Sequence, residues 1–127
     1  MDFSDRAREF CRKKGESERI CYLTSLAIEE TATNVVKHGF TKDDKDHMLS
    51  IRLVYKPDEL ILRFRDDCRG FDPQKKYETF FNKENVGKMI GIRMIMAEAK
   101  EVSYTSMFSL NNLIIRLDTG DHVQERF

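Results

Sequence analysis

Glu30, Asn34 and Lys37 bring a carboxylate, an amide and an ammonium close together within the stretch LAIEETATNVVKHGF, residues 26–40. On a helical wheel referred to Glu30, Asn34 falls about 40° to one side and Lys37 about 20° to the other. All three therefore share one narrow stripe of a helix. Ile20, Leu23, Ala27, Ile28, Thr31 and Val35 fan out from that stripe over roughly the next half of the wheel. The trio sits at the edge of the core-facing side, where a carboxylate is costly unless it is paired or working. A helix with a few partly buried, satisfied polar groups would carry the same stripe, so the rest of the chain has to decide.

A second polar stretch, Asp66-Asp67-Cys68-Arg69-Gly70-Phe71-Asp72-Pro73, follows an alternating run without a break. It is turn chemistry at a strand end, where binding groups often sit. The histidines add little to either stretch. His38 reads as a packed or capping residue beside Lys37. His47 and His122 fall in a loop and a tail with no cysteine or carboxylate constellation around them, so no transition-metal site is expected. Glu29 lies about 100° from Glu30 toward solvent, which leaves Glu30 as the better placed base.

The elements that must position these groups follow from periodicity. Residues 3–14 form an amphipathic helix, with Phe3, Ala7, Phe10 and Cys11 on one face, Ser4 or Asp5 as cap and Gly15 at its end. Ser17 caps the next helix, about 17–38, which carries the central stripe and stops at Gly39. Leu49, Ile51, Leu53 and Tyr55 alternate along one strand, and Leu60, Leu62 and Phe64 along another. The turn Lys56-Pro57-Asp58-Glu59 makes the two a hairpin. Residues 73–88 are polar, with Tyr77, Phe80 and Phe81 among them, and read as a long connection. A third amphipathic helix opens at Gly91. Strands at 101–105 and 112–118 follow, joined around Ser109 and Asn111, and the tail frays. Strands at hairpin spacing with segregated helices predict an α+β two-layer sandwich, its mixed, mainly antiparallel sheet covered by about three helices on one face.

Composition excludes several classes. The chain has 127 residues, enough for one domain, residues 1–127, around a single core. Lys+Arg and Asp+Glu both number 22, so the net charge of zero gives no general attraction to nucleic acid or anionic lipid. No apolar run approaches a membrane span, and no membrane contact is expected. Three cysteines without metal-ligand spacing, Cys11, Cys21 and Cys68, read as free, mostly structural thiols in a reducing cytoplasm.

Glu30-Thr-Ala-Thr-Asn34-Val-Val-Lys37-His38 resembles the asparagine box of the GHKL ATPases, which include gyrase, histidine kinases, MutL and the heat-shock-90 chaperones. Asp66-x-x-x-Gly70-Phe71 resembles their first glycine box. The run from Gly91 to Tyr104 resembles the second glycine box with the helix and strand behind it. Asn111-Asn-Leu-Ile-Ile-Arg-Leu117 is similar to the closing strand. The branch most like this chain is the anti-sigma-factor serine/threonine kinases of bacteria, in compact size, in Gly-Phe-Asp after the first box and in a Glu-Val-x-Tyr strand. The resemblance implies a GHKL (Bergerat) fold and an ATP-binding regulatory domain that transfers phosphate from Mg-ATP to a protein hydroxyl. By the same resemblance Asn34 gives its oxygen to Mg²⁺, Glu30 is the general base and Lys37 adds positive charge near the phosphates. Asp66 accepts from the adenine amino group. Gly70, Phe71, Gly87, Gly91 and Ile92 contact the nucleotide, with residues 73–90 as lid. It further implies a sigma-factor or antagonist-like protein partner, a possible homodimer and a longer parent protein.

Two positions depart from that pattern. Cys68 stands for the first glycine of the first box, and Met89 for the first glycine of the second, with Gly87 two residues earlier. A side chain at either place crowds a nucleotide or forbids a left-handed backbone. The alternative expectation is therefore a degenerate GHKL module that binds nucleotide weakly or not at all and serves as a protein-interaction domain.

Overall fold

A computed structural model describes residues 2–37, 45–68 and 90–119, with the backbone alone for 90–93. The elements run α1 (Phe3–Lys13), α2 (Glu18–Val35), β1 (Leu49–Tyr55), β2 (Glu59–Asp66), α3 (Ile90–Glu98), β3 (Glu101–Met107) and β4 (Leu110–Asp118). The sheet order is β1-β2-β4-β3, and every pairing among the described residues is antiparallel. The expected Gly39 cap and most of the loop before β1 lie outside the described residues. So do His38, His122, Gly70, Phe71, Gly87, Met89 and the lid up to residue 89.

The expected helix starts hold with one change of residue. Asp2, rather than Ser4 or Asp5, caps α1, its carboxylate accepting from Asp5 N at 2.9 Å. Ser4 is buried instead, its Oγ 2.7 Å from Asp2 Oδ1 and 3.0 Å from Glu29 Oε1, so it ties α1 to α2. Gly15 ends the helix region at φ +82°, the left-handed conformation that glycine adopts without strain. Ser17 Oγ accepts from Ile20 N at 3.2 Å and caps α2. That helix closes with a wider, π-type turn at Val36 and Lys37.

Alternation decides which side of the sheet the helices cover. Leu60, Leu62 and Phe64 of β2 and Ile115 and Leu117 of β4 are buried and join Ala7, Cys11, Cys21, Leu23, Ala27, Ile28 and Ile95 of the helices in one cluster. Leu49, Ile51, Leu53 and Tyr55 pack against it from β1. Burying a Leu or Phe side chain contributes about 1.5–3 kcal/mol, so this cluster is the main attraction between the layers. Arg19 and Glu98 form an ion pair that joins α2 to α3. No helix among the described residues is long and apolar enough to cross a membrane.

The opposite face is mixed, with half-buried Val54, Ile61 and Ile114 among charged and polar residues. Arg52 of β1 stands directly across from Arg63 of β2, and Ser50 across from Arg65. Arg52 and Arg65 are exposed, and no ion pair holds any of the three among the described residues. At the far end Arg116 Nη1 reaches Glu59 Oε1 at 2.7 Å and Lys100 Nζ lies 3.5 Å from Glu59 Oε2. The β3–β4 turn, Phe108 and Ser109, has φ of 51° and 64°, as a two-residue hairpin with right-handed twist requires. Asn111 thus belongs to β4 and not to the turn the sequence places it in.

Tyr55 fastens α1 to the edge strand. Its hydroxyl donates to Glu16 Oε1 at 2.5 Å, its ring meets Phe10 edge-on at 5.8 Å, and Lys14 lies over both rings. The hydrogen bond to Glu16, with burial adding to it, raises the phenol from its ordinary value of 10.0 to about 12. A raised folded-state value means that this contribution is complete below pH 10 and disappears as pH climbs through the folded value. Tyr55→Phe should cost about 1.5–3 kcal/mol at pH 8, since the hydroxyl donates to a carboxylate, and flatten the loss of stability above pH 10 in urea melts. Arg52→Glu should raise stability by about 0.5 kcal/mol, because it replaces a like-charge cross-strand pair with an opposite-charge one. The same melts at low and high salt check it, since salt should erase the gain.

Candidate functional site

The register of the sheet builds the site. Asp66 continues the alternation of Leu60, Leu62 and Phe64, so it lies on the helix-facing side at the end of β2. Its neighbours across the sheet are Leu49 on one side and Asn111 on the other, and Asn111 in turn faces Ser106 of β3. A polar row therefore closes the apolar column. Asp66 and Asn111 are 4% and 3% exposed. A carboxylate in that position needs donors, and two arrive at one oxygen. Asn111 Nδ2 donates to Asp66 Oδ1 at 2.8 Å and Cys68 N donates to the same atom at 3.1 Å. Asp66 Oδ2 accepts no hydrogen bond among the described residues. Asn111 Nδ2 also donates to Cys68 O at 2.9 Å, and Ser106 Oγ donates to Asn111 Oδ1 at 2.8 Å.

Cys68 is 3% exposed and held at both backbone polar atoms by this network. Its φ is not in the left-handed region, which among described non-glycine residues holds only Phe108 and Ser109. The position therefore does not need a glycine for its backbone, and a cysteine there carries no strain of that kind.

α2 supplies the other group of residues and packs on β2. The burial along it follows the expected stripe. Ala27, Ile28, Thr31 and Val35 are buried, Glu30 and Asn34 are half-buried, and Lys37 is exposed. Asn34 Nδ2 is itself buried and makes no hydrogen bond among the described residues. Glu29 points to solvent, within reach of Ser4. Gly91 and Ile92 lie in the first turn of α3.

Two features escape a reading of the sequence alone. Asn111 is one, because only strand pairing reveals that it donates to Asp66. The other lies one step beyond the hairpin's last pair, Leu49 with Asp66. Continuing the register sets Met48 opposite Asp67 and His47 opposite Cys68. His47, Asp67 and Cys68 there offer ligand atoms all within 4.8 Å of one another, which corrects the expectation that His47 has no cysteine or carboxylate around it. The signal was available in the turn: Pro57 and Asp58 at its tip set the register for both strands. Asp67 Oδ1 accepts from Met48 N at 2.8 Å, the chief reason its carboxyl is held below its ordinary value, and lies 3.3 Å from His47 Nδ1. The other two cysteines are core thiols. Burial pushes Cys11 up to about 11 and raises Cys21 too, so neither is a ready nucleophile at neutral pH.

An open four-stranded sheet with helices on one face, closed at one end by a buried aspartate, defines a two-layer α/β sandwich of GHKL (Bergerat) type. The family model of the histidine kinase-like ATPase domain matches residues 3–117, and the chain belongs to that family. The histidine kinase domain from the Erythrobacter litoralis EL346 blue-light activated histidine kinase has a similar fold. The TM-score is 0.61 at 18% identity, over 80% of this chain and 48% of that one. The longer EL346 kinase structure gives 0.61 at 16% identity, over 82% of this chain and 33% of that one. The chain thus spans half or less of the solved structures it matches. A comparison with curated proteins returns no match.

Asn111→Ala removes the donor that crosses from β4 to a buried carboxylate. It should cost about 2–3 kcal/mol, as hydrogen bonds to charged groups do, measured by urea unfolding at pH 7.

Proposed function

We propose that this domain binds Mg-ATP and transfers its terminal phosphoryl group to a serine or threonine hydroxyl of a protein partner in the cytoplasm, in the manner of anti-sigma-factor kinases. The observation that carries the reading is Asp66: a buried carboxylate with Oδ1 doubly hydrogen-bonded and Oδ2 accepting no hydrogen bond among the described residues. An acceptor so fixed suits the exocyclic amino group of adenine, and family membership supports the same ligand.

The donor set on α2 fits the rest of Mg-ATP. Asn34 has a buried amide end with no partner among the described residues, and a flip of that amide exchanges oxygen for nitrogen, so the same side chain can present the oxygen a hard cation wants. When bound, Mg-ATP supplies the phosphoryl group and the cation that offsets its charge. Glu30, one turn before Asn34 and half-buried, takes the proton from the attacking hydroxyl. Lys37, exposed at the wider last turn of α2, adds positive charge near the phosphates. The resemblance to the family assigns the remaining nucleotide contacts to Gly70, Phe71, Gly87, Gly91 and Ile92 and the lid to residues 73–90.

The partner is a sigma-factor or antagonist-like protein. Arg52, Arg63 and Arg65 on the open face of the sheet support an acidic surface on it, since like charges set opposite each other are unfavourable until something negative covers them. The second reading, a degenerate interaction module, rests on Met89, which stands where the resemblance expects the first glycine of the second box. Cys68 no longer favours it on backbone grounds.

One series of variants separates these readings. Glu30→Gln keeps the shape but removes the proton acceptor, so ATP affinity by calorimetry should stay within a few fold while phosphoryl transfer falls by roughly 10²–10⁴. Asn34→Ala should weaken Mg-ATP binding itself, and Asp66→Asn should weaken ATP more than GTP. Met89→Gly raises affinity if that side chain crowds the phosphates. A parent chain that shows no ATP-dependent rise in melting temperature, together with a Met89→Gly variant that restores none, leaves the interaction module as the function.

A further inference from the structure

We propose that His47, Asp67 and Cys68 form a binding site for one borderline-soft divalent cation of the zinc class at the end of the β1–β2 hairpin. The three residues come from both strands' ends, and the hairpin register brings them together. Their donors are an imidazole nitrogen, a carboxylate oxygen and a thiol sulfur, within 4.8 Å of one another. Zinc takes this mixture in tetrahedral sites, at about 2.0–2.2 Å to nitrogen and oxygen and about 2.3 Å to sulfur.

The spacing already approaches what the ion requires. Two ligand atoms bound at about 2.0–2.1 Å and at the tetrahedral angle stand about 3.3 Å apart. His47 Nδ1 and Asp67 Oδ1 are 3.3 Å apart in this structure. An ion between them replaces a hydrogen bond without moving either residue far, and the sulfur must approach by about an ångström to complete three ligands.

The surroundings are rigid where rigidity helps. Met48 N holds the Asp67 carboxylate at 2.8 Å, while Asp66 and Asn111 hold the Cys68 backbone from either side. The His47 side chain is 5% exposed and that of Asp67 is 37% exposed, so the carboxylate marks the entrance. Three protein ligands leave a fourth position for water or for an oxygen of a bound molecule. The thiolate sets the class of metal, because magnesium and calcium prefer all-oxygen sites. Binding requires that the Cys68 thiol release its proton to solvent, so affinity rises with pH.

This site does not depend on the nucleotide reading. Its ligands are separate from Asn34 and Glu30, and it touches that reading only at Asp66, through the Cys68 N–H.

The test uses the whole reduced chain, titrated first with Zn²⁺ by calorimetry and then with Co²⁺ by absorption spectroscopy. One equivalent of Zn²⁺ should bind. Co²⁺ should produce a thiolate-to-metal charge-transfer band that Zn²⁺ displaces. Cys68→Ser should abolish the band, and His47→Gln and Asp67→Asn should each weaken binding at least tenfold, with folding verified by circular dichroism. Should Cys68→Ser not fold, the other two variants decide. A chain that takes up no Zn²⁺ overturns the proposal. So does a band that survives Cys68→Ser, which would place the metal on Cys11 or Cys21, or one that neither His47→Gln nor Asp67→Asn weakens. In those cases Asp67 serves only to cap Met48 and orient His47.

Discussion

A carboxylate on the core side of a sheet is unfavourable by several kilocalories per mole unless donors reach it. Asp66 is such a group, and Asn111 Nδ2 and Cys68 N are its donors. The hydrogen bond from Asn111 crosses between the two central strands at the point where their ladder ends. It does two jobs through a single amide. It compensates the buried charge, and it binds Cys68 O, which fixes the direction the chain takes as it leaves β2. Ser106 on β3 then holds the amide's other end, so its orientation follows from the network. Three strands agree on the position of one carboxylate. Such an arrangement fixes the Oδ1 side, while Oδ2 accepts no hydrogen bond among the described residues.

The helices meet a different requirement. α1 and α2 cross-link through Ser4 and Glu29, Arg12 and Glu18, and the buried pair Cys11 and Thr24, while Tyr55 ties α1 to β1. α2 is thereby packed between the sheet and its two neighbours, and its polar stripe lies along the margin of the core. Glu30 and Asn34 are half-buried as a result. Partial burial strengthens electrostatic interactions with a ligand without the full cost of burying a charge. The amide nitrogen of Asn34 is buried and makes no hydrogen bond among the described residues, an exception to the rule that buried polar groups are paired.

At the same end of the sheet Cys68 stands where the resemblance to the first glycine box expects a glycine. A glycine at position 68 would leave a gap where this chain has a buried thiol. The backbone there has an ordinary conformation and accepts the side chain. What the thiol meets is decided by the hairpin, which sets His47 and Asp67 beside it. A thiol at this position therefore adds a third ligand-type atom to the strand end while its backbone stays in an ordinary conformation.

How much of this is legible in the sequence depends on the range of the interaction. Period-two alternation marked Leu60, Leu62 and Phe64 as inward, and the helical stripe of Glu30, Asn34 and Lys37 came out graded from half-buried to exposed, because both patterns are local consequences of backbone geometry. Gly15 and Ser17 punctuated the helices for the same reason. Misreadings arose where a neighbour distant in sequence decides. Asp2 took the cap because Ser4 was drawn into the α1–α2 interface. Asn111 joined β4 because its amide is needed by Asp66, and the turn fell on Phe108 and Ser109 despite their positive φ. The sequence by itself determined the elements, their faces and the family. Tertiary structure alone decided that Asn111 holds Asp66 at Oδ1 and that Ser106 holds Asn111 in turn. Those outcomes depend on strand pairing between residues far apart in the chain, which no local pattern of residue types encodes.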